Sequence, residues 1–95
     1  MSKNDSQTIF IGKKPTINYV LVAVTVLNQE GTCVIQARGR QISKAVDVAE
    51  ITRRKFLQNL VEVQSVAIGS EELVNEDNPD NPKTVSTIEI VLVKK

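Results

Sequence analysis

The first half of this chain contains one local arrangement twice: a short run rich in β-branched residues, a break at glycine, and then apolar residues at helical spacing. The β-rich runs are Thr8 to Ile11 and Thr32 to Ala37. Apolar residues that recur every three or four positions predict one helix over residues 15–30 and a second from Ile42 that ends near Asn59. Two consecutive strand–helix units predict parallel strands joined by right-handed crossovers.

The second half of the chain predicts two strands and a connection between them. We expect a long strand from Val61 to Val74, in which the apolar positions change parity near Ser65, as a β-bulge would cause. The segment from Asn75 to Pro82 contains only turn-forming and acidic residues, which predicts an exposed loop. Alternating apolar residues predict a last strand from Val85 to Val93, paired with the preceding strand as a hairpin.

The predicted elements form one α/β domain. A chain of 95 residues, 41 % of them hydrophobic, is long enough for one core and too short for two. The order βαβαββ predicts a two-layer sandwich with a four-stranded mixed sheet and two helices on one face. We assign the domain to residues 1–95 and expect residues 1–7 to be disordered and residues 75–83 to form a mobile hairpin loop.

The sequence offers little for catalysis. It contains no histidine, the usual general base near neutral pH. Cys33 lies among apolar strand residues, so we expect a buried structural thiol rather than a nucleophile. Asp47 and Glu50 fall three residues apart in the second helix, where ion pairs with nearby cations explain them better than a catalytic role. We therefore predict a protein that is not an enzyme and needs no cofactor and no metal.

Charge is distributed unevenly along the chain. The net formal charge is only +1, yet residues 1–60 carry nine basic and four acidic residues, whereas residues 61–95 carry three basic and seven acidic residues. A basic surface can exist despite this low net charge, because a phosphate responds mainly to charges within about 8 to 10 Å. A single cysteine and an N-terminus without a secretory pattern favour the cytoplasm, and we expect no membrane partner.

The clearest functional signal lies at the two places where a strand ends and a helix begins. The first junction is Gly12-Lys13-Lys14-Pro15, and the second is Arg38-Gly39-Arg40-Gln41. In parallel strands, both junctions fall at the carboxyl edge of the sheet, where ligands usually bind. Neither junction has an obvious side-chain cap, and an uncapped helix start favours anions. These four cations therefore predict a surface that binds phosphate.

Two long motifs that contain these junctions resemble the Alba family of archaeal chromatin proteins. The motifs are GKKPxxNYV, which begins at Gly12, and ARGRxISKAVD, which begins at Ala37, and the ending Val85 to Ile90 also fits. The resemblance covers nearly the whole chain. It implies a βαβαββ fold, similar to the C-terminal domain of translation initiation factor three, and a homodimer that coats or bridges double-stranded DNA and in many members also binds RNA.

The resemblance also implies roles for individual residues. It makes Lys13 an acetylation site whose modification weakens DNA binding, and it makes Phe56 a contact between neighbouring dimers. The lysines and arginines of both junctions match positions that contact the nucleic-acid backbone, and we add one lysine of the second motif and one of the final hairpin. The predicted nucleic-acid-binding residues are Lys13, Lys14, Arg38, Arg40, Lys44 and Lys83.

The final hairpin departs from the family pattern. In the family this hairpin is an arm that usually carries basic residues and reaches along the minor groove, whereas here Glu76, Asp77 and Asp80 oppose Lys83 alone. We therefore predict a dimeric, chromosome-associated protein that binds and compacts double-stranded DNA largely independently of sequence. Two alternatives stay open: an RNA-binding protein of a ribonucleoprotein complex, and an adaptor that binds another protein through the acidic hairpin.

Overall fold

The computed structural model describes residues 7–75 and 78–95, so that most of the segment expected to be disordered, and Glu76 and Asp77, lie outside the described residues. The order of elements is βαβαββ, which confirms the prediction. No helix in the described part of the chain is long and apolar enough to cross a membrane. The elements are β1 (Thr8–Phe10), α1 (Thr16–Glu30), β2 (Thr32–Arg38), α2 (Ile42–Ile51), β3 (Val61–Asn75) and β4 (Asn78–Lys94).

The four strands form one mixed sheet in the order β1-β2-β4-β3. β1 and β2 are parallel, with Phe10 opposite Gln36, and β4 is antiparallel to both β2 and β3. The helices pack mainly over β2 and β4, and their buried residues form the core with those of the sheet. The predicted two-layer sandwich is therefore confirmed, and both strand–helix junctions leave the sheet at the same edge.

The ends of α1 follow from its flanking residues. Pro15 occupies the N-cap, where a missing N–H costs no helical hydrogen bond. Gly31 ends the helix with a φ of 79°, and its N–H donates to the carbonyl oxygen of Leu27. Glycine adopts this left-handed conformation without the steric penalty of a side chain. The chain thereby turns directly into β2.

The second helix is shorter than the apolar spacing predicts. Regular α-helix ends at Ile51, and residues Thr52–Phe56 form a wider π-helical turn in which the Leu57 N–H donates to the Thr52 carbonyl at 2.9 Å. The apolar spacing continues through this turn, so that sequence alone does not reveal the extra residue. Asn59, with a φ of 62°, then reverses the chain into β3.

The long hairpin of β3 and β4 corrects the predicted loop. The expectation of a loop over residues 75–83 is wrong for residues 78–83, because β4 begins at Asn78 and its ladder pairs Lys83 with Leu73. The predicted bulge is confirmed by a register shift between Val63 and Ser65. β2 pairs only with residues 87–93 of β4, so the earlier part of β4 has a free edge among the described residues. A free edge tolerates proline, which has no N–H to donate.

Candidate nucleic-acid interface

The two cationic junctions meet at one edge of the sheet. The ladder between β1 and β2 continues one step further, because the Ile11 N–H donates to the Gln36 carbonyl at 2.9 Å. The first junction therefore leaves the sheet beside the end of β2, where the second junction begins. Lys13, Lys14 and Arg40 are exposed there, and neither junction has a side-chain cap on its helix. The convergence predicted from the strand order is present.

Tyr19 holds the backbone of the first junction. Its hydroxyl oxygen accepts hydrogen bonds from the Gly12 N–H at 2.9 Å and from the Lys14 N–H at 3.3 Å. A Cβ atom at position 12 would lie 3.2 Å from that oxygen, so glycine permits the close approach. Sequence reasoning missed this role, although Tyr19 belongs to the first motif. Two backbone N–H groups of the loop therefore bind a side chain instead of remaining available to an anion.

Lys44 connects the second helix to the same loop. Its ammonium group donates to the carbonyl oxygens of Gly12 at 2.8 Å and Lys14 at 2.9 Å, and lies 6.0 Å from the centre of the Tyr19 ring. Charged donors form the stronger hydrogen bonds in proteins. The sequence predicts Lys44 as a residue that contacts nucleic acid, whereas the geometry gives its ammonium a role in fixing the loop that presents Lys13 and Lys14.

Arg38 and Arg40 flank the glycine of the second junction. Gly39 adopts a φ of 60°, which lets β2 turn into the short 3₁₀ segment Gly39–Gln41 that precedes α2. Arg38 Nη1 lies 3.1 Å from Oε2 of Glu71 on β3, and both side chains are more than half exposed. An exposed pair of this kind contributes about 1 kcal/mol or less. A phosphate can therefore exchange with Glu71 at modest cost.

Lys83 and Phe56 lie away from the junctions in different directions. Arg38, the last residue of β2, pairs with Thr87, and β4 residues before it project beyond this edge as a two-stranded extension, which we name the projecting hairpin (residues 70–75 and 78–86). Lys83 is four residues beyond Thr87, or roughly 13 Å at about 3.3 Å per residue. Phe56 lies at the far end of the second helix from the junctions and is 46 % exposed.

The groups weighed for catalysis have structural surroundings. Cys33 is fully buried, as predicted, and burial raises the pKa of its thiol to about 12. The Glu50 carboxylate accepts hydrogen bonds from Arg53 and Arg54, which lower its pKa. Over residues 7–75 and 78–95, no three metal-ligating side chains of the cysteine, aspartate or glutamate type lie close enough to hold an ion.

Comparison with known proteins decides the family. Residues 7–70 match the family model described as Alba. The chain belongs to the Alba family. The DNA/RNA-binding protein Alba of Picrophilus torridus is 49 % identical over 92 residues, which cover 95 % of this chain and 98 % of that protein. The DNA/RNA-binding protein Alba of Nanoarchaeum equitans is 52 % identical over 88 residues, or 92 % of this chain and 97 % of that protein.

Solved structures of Alba proteins have the same fold. Alba from Thermoplasma volcanium superposes with a TM-score of 0.80 at 47 % identity and covers 90 % of this chain and 98 % of its own. ALBA1 from Trypanosoma brucei superposes with a TM-score of 0.69 at 24 % identity, covering 94 % of this chain and 69 % of its own, and supports the fold alone. The resemblance in the two motifs is thus confirmed as Alba family membership.

Proposed function

We propose that this Alba-family protein binds double-stranded DNA through its phosphate backbone, without catalysis, as a dimeric chromatin protein that compacts DNA. The observation that carries the proposal is the convergence of two cationic junctions, with Lys13, Lys14 and Arg40 exposed, at one sheet edge. Its relatives are named DNA/RNA-binding proteins, which supports the same class of ligand. We place the protein in the cytoplasm, associated with the chromosome.

The geometry suits a ligand of repeated, sequence-independent charge. Tyr19 and Lys44 fix the first loop before any ligand arrives, so that binding costs little conformational entropy there. Arg38 can release Glu71 and form two parallel hydrogen bonds with a phosphate. Lys13 and Lys14 supply mobile point charges, which tolerate small differences in backbone position. Contacts of this kind position a duplex without reading its bases.

The proposed dimer explains a row of exposed apolar side chains on β3. Cross-strand partners point to the same face of a sheet, and Val66 and Ile68 are the partners of Ile90 and Ile88, on the face that carries the helices. Nevertheless Val66 is 56 % exposed and Ile68 84 % exposed. A second copy that packs here would bury them and double the number of cations. Phe56 remains half exposed, as contact between dimers would require.

RNA is the second candidate ligand, and the projecting hairpin favours it. Glu72 and Asp80 lie exposed on this hairpin, which projects from the same edge as the cationic junctions. A straight duplex that continues past the edge brings further phosphates toward these carboxylates, whereas a compact folded RNA can end before them. Structured RNA is recognised largely through its shape and backbone, which the junctions can contact.

Titrations at several salt concentrations test the proposal. We expect two duplexes of unrelated sequence to bind equally, with affinity falling steeply between about 50 and 200 mM salt, by a log–log slope of about −0.9 for each phosphate neutralised. A structured RNA titrated at the same salt ranks the two candidate ligands. Lys55→Gln, which removes an exposed cation from the far end of the second helix, is the control for Lys14→Gln. A flat salt dependence would remove the backbone model.

A further inference from the structure

The sheet face opposite the helices carries a groove that the proposed backbone contacts do not use. The strand register places one row of residues across all four strands on this face, and the next row lies nearer the junctions. The groove measures about 400 Å³, within the rough range of 300 to 1,000 Å³ seen for small-ligand pockets. The residues that line it and matter here are Phe10, Gln36, Arg38, Gly69, Glu71 and Glu89.

Phe10 gives this groove an exposed aromatic ring. Phe10 is 71 % exposed on the edge strand β1, and its cross-strand partner is Gln36. The chain has only three aromatic residues, and the hydroxyl of one of them, Tyr19, is engaged by the first junction. An aromatic ring at a nucleic-acid interface offers a surface on which an unpaired base stacks, whatever the sequence.

Hydrogen-bond acceptors lie beside this ring. Gln36 Nε2 donates to Oε1 of Glu89 at 2.7 Å. A carboxylate accepts several hydrogen bonds, and an amide oxygen accepts two, so the pair retains acceptor capacity. Two adjacent acceptors fit a base edge with two adjacent donors. Guanine presents such an edge, through its ring N–H and its amino group, whereas adenine and cytosine present one amino group and uracil one ring N–H.

The charges of the groove favour a neutral group over a phosphate. Glu71 and Glu89 place two carboxylates in the groove against the single guanidinium of Arg38. A phosphate there would meet like charge, whereas an uncharged base would not. The groove is also continuous with the proposed phosphate surface, because Ile11 lines it and is followed directly by Gly12 and Lys13. A strand whose phosphates lie on the junctions can therefore extend a base into the groove.

We propose that this groove binds an unpaired guanine base, which stacks on Phe10 and donates to Glu89, from a strand held by its phosphates at the junctions. The inference rests on the proposed backbone binding and adds to it a site for looped or single-stranded nucleic acid. RNA and single-stranded DNA share this chemistry, so the same hairpin oligonucleotide made of RNA and of DNA distinguishes the two sources.

A tryptophan reporter tests the stacking. The chain contains no tryptophan, so Phe10→Trp introduces a single fluorophore into the groove. We expect its emission to be quenched by a stem-loop with one unpaired guanine and to change little with a fully paired duplex of equal length. Phe56→Trp, at the other exposed phenylalanine, should respond equally to both ligands. Equal responses of Phe10→Trp to loop and duplex would overturn the groove.

Two further variants test affinity and base preference. Phe10→Ala should weaken stem-loop binding about fivefold or more while duplex binding stays unchanged, as expected for loss of one stacked base. Glu89→Gln retains a partner for Gln36 but loses an acceptor, so an expected preference of about tenfold for guanine over uracil in the loop should disappear. Glu62→Gln removes the same charge from β3 outside the groove and should retain the preference.

The outcomes separate this inference from the proposed function. If the unsubstituted protein shows no salt-dependent binding to either duplex or stem-loop, the backbone model and the groove both fail. If duplex binding is normal but guanine and uracil loops bind alike, or Glu89→Gln keeps a guanine preference, the groove fails while the backbone model stands. Unfolding temperatures equal to that of the unsubstituted protein establish that each variant is folded, which the exposure of Phe10 leads us to expect.

Discussion

The cations predicted to contact nucleic acid differ in what their side chains touch. Lys13, Lys14 and Arg40 are exposed, Arg38 is paired with Glu71, and Lys44 donates to two carbonyls of the first loop. Residue type and position relative to a helix start are legible in a sequence. The partners are not, because Glu71 reaches Arg38 only through the register of β4 between their strands.

We expect Lys13→Gln, or acetylation of Lys13, to weaken duplex binding several-fold and to reduce the salt slope by about 0.9, because one charge is lost from an exposed loop. Lys13→Arg keeps the charge and should weaken binding less. Anisotropy titrations at several salt concentrations measure both quantities, and thermal unfolding should be unchanged. Lys55→Gln is the matched control, and identical binding by all these forms would make Lys13 a bystander.

Tyr19→Phe should separate the shape of the first loop from its charge. The substitution removes only the hydroxyl that accepts from the Gly12 and Lys14 N–H groups. We expect a loss of about 1 kcal/mol in the free energy of unfolding and weaker duplex binding. The salt slope should stay at the wild-type value, since no charge is lost. A reduced slope with unchanged stability would contradict a role in positioning.

At the scale of elements, periodicity predicts existence better than extent. The order of strands and helices and the bulge near Ser65 follow from the apolar spacing. The π-helical turn at Thr52–Phe56 does not, because its extra residue leaves the apolar spacing unchanged. The strand from Asn78 also contradicts its local sequence, which favours turns. There, pairing with β3 overrides local preference, and prolines fit because one edge of the strand is free.

The acidic projecting hairpin should oppose duplex binding. Replacing Glu72 with Gln and Asp80 with Asn removes two exposed carboxylates that project from the cationic edge. We expect duplex affinity at low salt to rise about twofold or more, with a steeper salt dependence, because screened exposed charges have small effects. Glu30→Gln with Glu62→Gln, which removes the same charge from residues off this hairpin, is the control. Equal affinity in both double variants would place the hairpin away from the ligand.

At the scale of the whole molecule, strand order determines which residues share a surface. Parallel pairing of β1 and β2 brings both cationic junctions to one edge, and this could be predicted because two successive strand–helix units have few possible connections. The exposure of Val66 and Ile68 could not, because it depends on β3 lying at the edge of the sheet beyond the helices. The hairpin makes the molecule elongated, with extents of 48 × 28 × 20 Å.

The exposed apolar row on β3 leads to the prediction that the protein is a homodimer. A contiguous apolar surface of this kind usually marks an interface, and sedimentation equilibrium should give about twice the chain mass of 10.5 kDa. Ile68→Asp places a charge in the proposed interface, and we expect it to give a folded monomer, because Ile68 is 84 % exposed within one chain. With half the cations available to each duplex, its salt slope should fall toward half of the wild-type value.

Leu21→Asp provides the matched control for Ile68→Asp. Leu21 is 53 % exposed on α1, so the substitution makes the same change of charge and apolar surface away from β3. We expect it to remain dimeric and to keep the wild-type salt slope, because neither the interface nor the junctions are altered. A monomer mass for the unsubstituted protein at micromolar concentration would contradict the dimer. A dimer of Ile68→Asp would instead place the interface elsewhere, since a buried, unpaired carboxylate is too costly to retain at a subunit contact.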